Sequence, residues 1–222
     1  MTLGELLRRF RTLADDNVAP YLWDTKDVTD WLSDAQEQAA IRGRLLREDQ
    51  EPGICSILLD PTKHTYRLHP VVVEIIFLQL LPANGERGIP LELVSRDWLD
   101  AERPDWRDDP NPPRFAIQDD VSLRIVGRIE VGDSLRLECY RLPLKPLSHA
   151  AEEPELHRAH HVHLVNWALH RAFSVPDAEK FDPVRGDNAE KAFTQYFGLL
   201  PDSDMRRITR ADVVHHNRAV LL

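Results

Sequence analysis

The sequence predicts an α+β fold in which a helical bundle is interrupted by a β domain. Two observations carry this. Apolar residues recur with the 3.6-residue period of helices over residues 1–51 and again after residue 150. Between those stretches the period falls to two, in short runs rich in Val, Ile and Leu and bounded by Pro, Gly, Asn and Asp. No internal repeat or low-complexity stretch disturbs that order. Residues 1–51 and 148–200 are accordingly assigned to one bundle, with two N-terminal and two C-terminal helices. Residues 52–147 form an inserted antiparallel β domain, and residues 201–222 an extended C-terminal arm.

Thr2 and Glu5 have the spacing of a capping box, so a helix is predicted over residues 2–16, with Leu3, Leu6, Leu7, Phe10, Leu13 and Ala14 on its apolar stripe. Pro20 punctuates the connection, where Tyr21 and Trp23 are expected to pack inward. Asp24 or Thr25 caps the second helix, whose 3.6-residue period runs from Val28 through Trp31, Leu32, Ala35, Ala39 and Arg42 to Leu46. After Glu51-Pro52-Gly53, Ile54–Leu59 reads as a strand, Asp60–Lys63 as a turn, and Thr65–Leu68 as the partner strand. Val71–Leu81 is apolar enough for a central strand, and Ile89–Val94 returns beside it. Ser95 caps a short helix, and an exposed loop with six acids follows over residues 97–109. Three more strands are expected over 114–118, 122–126 and 134–142.

The longest helical pattern is expected at Pro154–Pro176, with Val162, Val165, Ala168, Leu169, Ala172 and Phe173 facing the core. His160, His163, Trp167, His170 and Arg171 fall largely on the other side. A tryptophan beside an arginine has the composition of an interface anchor, so His160, His163, Trp167 and Arg171 are the candidate subunit contact. Burial of the same face inside the bundle is the competing reading. Asp182-Pro183 opens a last helix with Ala189, Ala192, Phe193 and Tyr196 inward, and Gly198 ends it. From Pro201 the periodicity fades. Residues 205–222 carry Arg206, Arg207, Arg210 and Arg218 against the single acid Asp212, and end in Val220-Leu221-Leu222. Such a basic segment is either simple disorder or an arm that folds onto an acidic partner.

The chain has 222 residues and a formal net charge of -9, which argues against wholesale attraction to nucleic acid. Its two cysteines, Cys55 and Cys139, lie far apart in apolar surroundings and read as buried free thiols of an intracellular protein. No apolar run reaches the roughly 20 residues of a membrane-spanning helix, so no membrane association is expected.

Catalytic motifs are sparse. His157 and His161 have the four-residue spacing of metal ligands, but Arg158 stands where a zincin carries glutamate. No phosphate-binding glycine loop and no Gly-x-Ser-x-Gly elbow occurs. The acidic loop lacks the spacing of a calcium-binding loop. The chain is therefore expected to be neither an enzyme nor a holder of any metal or cofactor. A small metal-dependent enzyme using the cluster His157–His163 is the rival of a different class.

Several strings together resemble the tailed-phage adaptor proteins, the head-to-tail connector components beneath the portal. MTLGELLRRFRTLADDN and YLWDTKDVTDWLSDAQEQAAIRGRLL are similar to that family's first helix pair. TYRLHP, PLELVSRDWLD, PDWR and PPRFAIQDD resemble its β insertion. YRLPLKPL, PELHRAHHVHLVNWALHRAF and DAEKFDP resemble its closing strand and third helix, and KAFTQYFG its fourth. The resemblance implies a structural virion protein of the neck, between capsid and tail, assembled in the host cytoplasm. It implies a ring, usually of twelve copies, docked on the portal protein, extending the channel used in genome ejection and presenting the surface for a downstream neck or tail protein. DNA would pass without specific binding. The arm residues Arg206, Arg207, Arg210, Arg218, Val220, Leu221 and Leu222 would make the portal contact. A different neck component, a stopper or tail-completion protein, is the nearer alternative.

Overall fold

The computed structural model describes residues 1–176 and 180–201. In chain order the helices are α1 (Leu3–Ala14), α2 (Thr25–Gly43), α3 (Pro52–Cys55), α4 (Arg96–Glu102), α5 (His161–Phe173) and α6 (Pro183–Phe197). The strands are β1 (Arg47–Glu48), β2 (Ser56–Leu58), β3 (Thr65–Arg67), β4 (Val72–Leu81), β5 (Ile89–Pro90), β6 (Glu92–Leu93), β7 (Phe115–Gln118), β8 (Ser122–Val126) and β9 (Ser134–Arg141). They form two compact units, one of Met1–Leu46 with Arg141–Leu200 and one of Arg47–Tyr140. The α+β class and the interruption of a helical unit by strands thus stand. The junctions fall at 46/47 and 140/141 rather than at 51/52 and 147/148. β1 pairs with β9, whereas Leu147 is buried in the helical core.

In the helical unit α1, α2, α5 and α6 close around one apolar core that includes Phe10, Leu32, Leu164 and Phe193, each fully buried. The capping box is present: the Thr2 hydroxyl accepts from the Glu5 N–H, and Glu5 Oε2 accepts from the Thr2 N–H at 3.0 Å. Asp15 ends α1 in the left-handed region, φ 60°, and Asp24 caps α2. Between them sits a buried ion pair that sequence periodicity does not show. Arg11 pairs with Asp16, and its guanidinium also donates to the Trp23 carbonyl at 2.7 Å and to Thr25 Oγ1 at 3.2 Å. Asp16 Oδ1 accepts from the Leu22 N–H at 2.8 Å. Trp23 is buried as expected, but Tyr21 is half exposed, its ring under the Arg11 guanidinium at 4.2 Å. Leu13, expected on the stripe, also faces outward.

α5 is shorter than the predicted 154–176. Residues Pro154–His157 form an irregular, bent entry, a 3-10 turn covers Arg158–His160, and α2 is the longest helix among the described residues. Glu152 and Glu155 bond to the entry loop. Glu152 accepts from the Ser148 and His149 N–H groups, which hold its carboxyl below the usual range. Glu155 accepts from Arg141 at 2.5 Å and from the Leu144 N–H at 2.8 Å. Val162 is exposed, and Leu164 takes the core position. In α6 Phe193 and Phe197 are buried while Ala192 and Tyr196 face outward. Asp182 caps this helix as predicted, and Gly198 (φ 96°) ends it in a conformation that other residues rarely adopt.

In the β unit, one sheet has the order β1-β9-β4-β5 with β2 also on β9, and the other has the order β3-β8-β7-β6. The expected hairpin of 54–59 with 65–68 does not form. β2 pairs with β9, and β3 joins the other sheet on β8. Pro52 at the first helical position, with Glu51 as cap, turns Pro52–Cys55 into a helical turn before the strand begins. The predicted return strand 89–94 divides at Leu91 between the two sheets. The domain is not wholly antiparallel, because β6 pairs with β7 in parallel. Helix α4 lies between those two strands in sequence and returns the chain to its starting direction, as parallel pairing requires.

The region expected as an exposed acidic loop is half built by this crossover. Leu99 and Trp106 are buried against Phe115, Ile117 and Val126, and Trp106 Nε1 donates to Asp100 at 2.8 Å. A second cluster, including Leu78, Leu135, Leu137, Leu123 and Ile125, draws on strands of both sheets. Gly127, at φ 113°, lets the chain pass Asn111: a Cβ there would lie 2.6 Å from the Asn111 carbonyl oxygen. No helix among the described residues is long and apolar enough to cross a membrane.

Candidate functional site

The candidate surface is built on α5, which has two occupied sides. Leu164, Val165, Ala168 and Ala172 recur at helical spacing and are fully buried in the core shared with α1 and α2. The polar side, where the histidines and Trp167 lie, meets α6 and the end of α2.

Trp167 is half buried. Its indole N–H donates to Asp34 Oδ2 at 2.7 Å, and its ring lies 5.1 Å from Phe193 and 5.2 Å from His170. The Arg42 guanidinium sits 4.9 Å from the Trp167 ring centroid and 5.3 Å from that of Phe193. Arg42 also donates to Thr194 Oγ1 at 2.8 Å and stands 3.6 Å from Glu190 Oε1. A guanidinium is weakly hydrated and flat, so it tolerates this place between rings where a lysine would lose more hydration. Asp34, beside Trp167, lies close to Glu37. The Glu37 carboxyl titrates above its ordinary value, first through partial burial and then through Asp34.

Further up the seam, His163 stacks on Tyr196 with centroids 3.5 Å apart and planes 15° apart. His160 Nδ1 is 3.2 Å from the Tyr196 hydroxyl, and the His157 ring stands 6.0 Å from His160. Burial lowers the pKa of both His160 and His163, and the neighbouring histidines lower that of His160 further. His170 Nδ1–H donates to the Gly186 carbonyl at 3.1 Å. His161, the second member of the spaced pair, is buried, with Nε2 2.8 Å from the Leu156 carbonyl.

Three of the four residues expected at a subunit contact, His160, His163 and Trp167, are therefore brought together along the seam with α6 of the same chain. Arg171 is apart from them and exposed. The exposed rim of this seam is carried instead by Val162 and Tyr196, with Leu199 and Leu200 beyond α6. Sequence reasoning missed Asp34, Arg42 and Phe193 as partners of Trp167, because they come from two other helices, α2 and α6. The one available signal was Arg42 falling on the apolar period of α2. The arm residues Arg206, Arg207, Arg210, Arg218, Val220, Leu221 and Leu222 lie outside the described residues.

Chemically, this arrangement holds helices together and offers a mixed aromatic and cationic rim. Among the described residues, no three or more His, Cys, Asp or Glu side chains are placed to hold a metal ion. Residues 1–216 match the profile of a protein family described as SU10 adaptor protein. No curated protein matches the sequence.

Proposed function

Since the chain belongs to the SU10 adaptor protein family, a family of phage head-to-tail adaptors, we propose that it forms a ring of twelve copies on the portal protein. The ring extends the DNA channel during genome ejection and presents the surface on which the next neck or tail protein assembles. The role is structural, with no catalytic step. What carries this reading is the family match, which spans both compact units and most of the C-terminal segment. The acidic chain, at net charge -9, suits a ring through which DNA must slide without sticking. In this reading the basic segment 205–222, with Arg206, Arg207, Arg210 and Arg218, orders against the portal and is fixed there by Val220, Leu221 and Leu222.

Ring neighbours would meet along the rim of the α5–α6 seam, with Val162 and Tyr196 as the exposed groups and Trp167 supporting them from behind, while Arg171 stands exposed outside the seam. Deleting residues 205–222 tests the arm. The truncated chain should melt like the full chain and fail to cosediment with portal rings. Undiminished cosedimentation would remove the arm from the account.

A further inference from the structure

The two cysteines take no part in the contacts proposed above, yet they are neighbours. Cys55 ends α3 and Cys139 lies in β9, 4% and 0% exposed in one apolar cluster of the β unit. The strand register explains the approach. Ser56 is opposite Arg136 and Ile57 opposite Leu135, and continuing that register by one residue brings Cys55, at the end of α3, towards Leu137. Cys139 is two residues further along β9, on the same face as Leu137. The pair is thus roughly diagonal across the ladder, close enough for the Cys139 side chain to act on the Cys55 thiol as a hydrogen-bond partner. Diagonal positions are slightly wider than a disulfide prefers. Cys55 is the last residue of a four-residue helix, and closing the bond requires the backbone to shift at that helix end.

We propose that Cys55 and Cys139 are a disulfide-forming pair that closes when the chain passes from a reducing to an oxidising environment, fastening α3 to β9. An external disulfide such as oxidised glutathione supplies the oxidant. One cysteine thiolate attacks it and expels one glutathione thiolate, which takes up a proton. The second cysteine then displaces the other glutathione, so that the Sγ–Sγ bond forms and two thiols leave with the two electrons and two protons. Burial first, then Glu48 and Asp49, pushes the Cys55 thiol up, which makes the pair slow to react. A bacterial host's interior keeps thiols reduced and a released particle meets oxidant. This timing rests on the adaptor reading; the capacity to form the bond does not.

The full chain is incubated with oxidised glutathione just below its thermal midpoint, where burial opens transiently, and then denatured and alkylated. The expected product is a monomer about 2 Da lighter with both cysteines protected. Its melting midpoint should rise by roughly 10 °C, since the bond closes a loop of roughly 85 residues. Cys55→Ala and Cys139→Ala, each still melting cooperatively, should show neither change. Two alkylated thiols, glutathione adducts on both sulfurs, or disulfide-linked dimers would overturn the pair. Chain taken from released particles should carry the bond and chain from the lysate should not; free thiols in the particles would overturn the timing. Absence of the chain from particles would contradict the adaptor reading while leaving the result on the purified chain intact.

Discussion

At the scale of single residues, the helical unit depends on polar groups that would cost stability if orphaned. Arg11 and Asp16 are both almost fully buried, and their remaining hydrogen-bond capacity goes to Trp23, Thr25 and Leu22. Removing one partner leaves a charge in the core without compensation. Asp16→Ala is expected to lower unfolding stability by about 3–5 kcal/mol in urea titrations. Asp16→Asn, which keeps an acceptor for the Leu22 N–H, should lose less. Trp167 makes the complementary test. Trp167→Phe removes the indole bond to Asp34 and should cost about 1 kcal/mol. Trp167→Ala also opens space between Arg42 and Phe193 and should cost about 2–4 kcal/mol, near the lower end because the ring is half exposed. An unchanged midpoint in Trp167→Ala would mean that the ring contributes nothing to the bundle.

At the scale of elements, the α5–α6 seam makes stability depend on pH. His160 and His163 have folded pKa values below the ordinary 6.5, because the seam buries them against Tyr196 and Phe197 and because His157 and His161 lie near His160. A depressed histidine pKa means that the unfolded chain binds protons first. Stability is therefore fully present above pH about 6.5 and is lost as pH falls from there through the lowered folded values. The melting midpoint should fall by a few degrees between pH 7 and pH 5, and His163→Phe should flatten part of that slope. A midpoint that rises on acidification would contradict the assignment.

The elements also show what the sequence could convey. The capping box at Thr2, the Asp182-Pro183 helix start, the Asp60 turn and the three strands from Arg114 to Leu142 were all legible, because each rests on local spacing. The turn is held by the Asp60 carboxylate, which accepts from the Thr62 N–H and hydroxyl and is drawn down to a pKa of about 2 by those bonds and by Lys63. Strand partners were not legible. β2 and β3 have the pattern of a hairpin, yet β2 pairs with β9, 76 or more residues later. Pairing is decided by burial across the unit, and alternation alone does not carry it. The same limit hid the site: the histidines and Trp167 were found as a set, but their partners Asp34, Arg42 and Tyr196 come from other helices.

At the scale of the whole molecule, two compact units and a basic C-terminal segment belong to a chain of the phage head-to-tail adaptor family. If the arm orders only on docking, the isolated protein should be a monomer or weakly associated in light scattering after size exclusion. A stable ring without portal would contradict that part. The central claim, that the chain is a neck ring component, is tested most directly by quantitative mass spectrometry of purified particles. This chain is expected in every complete particle at about one copy per portal subunit. Particles that contain portal and tail proteins but lack this chain would contradict it.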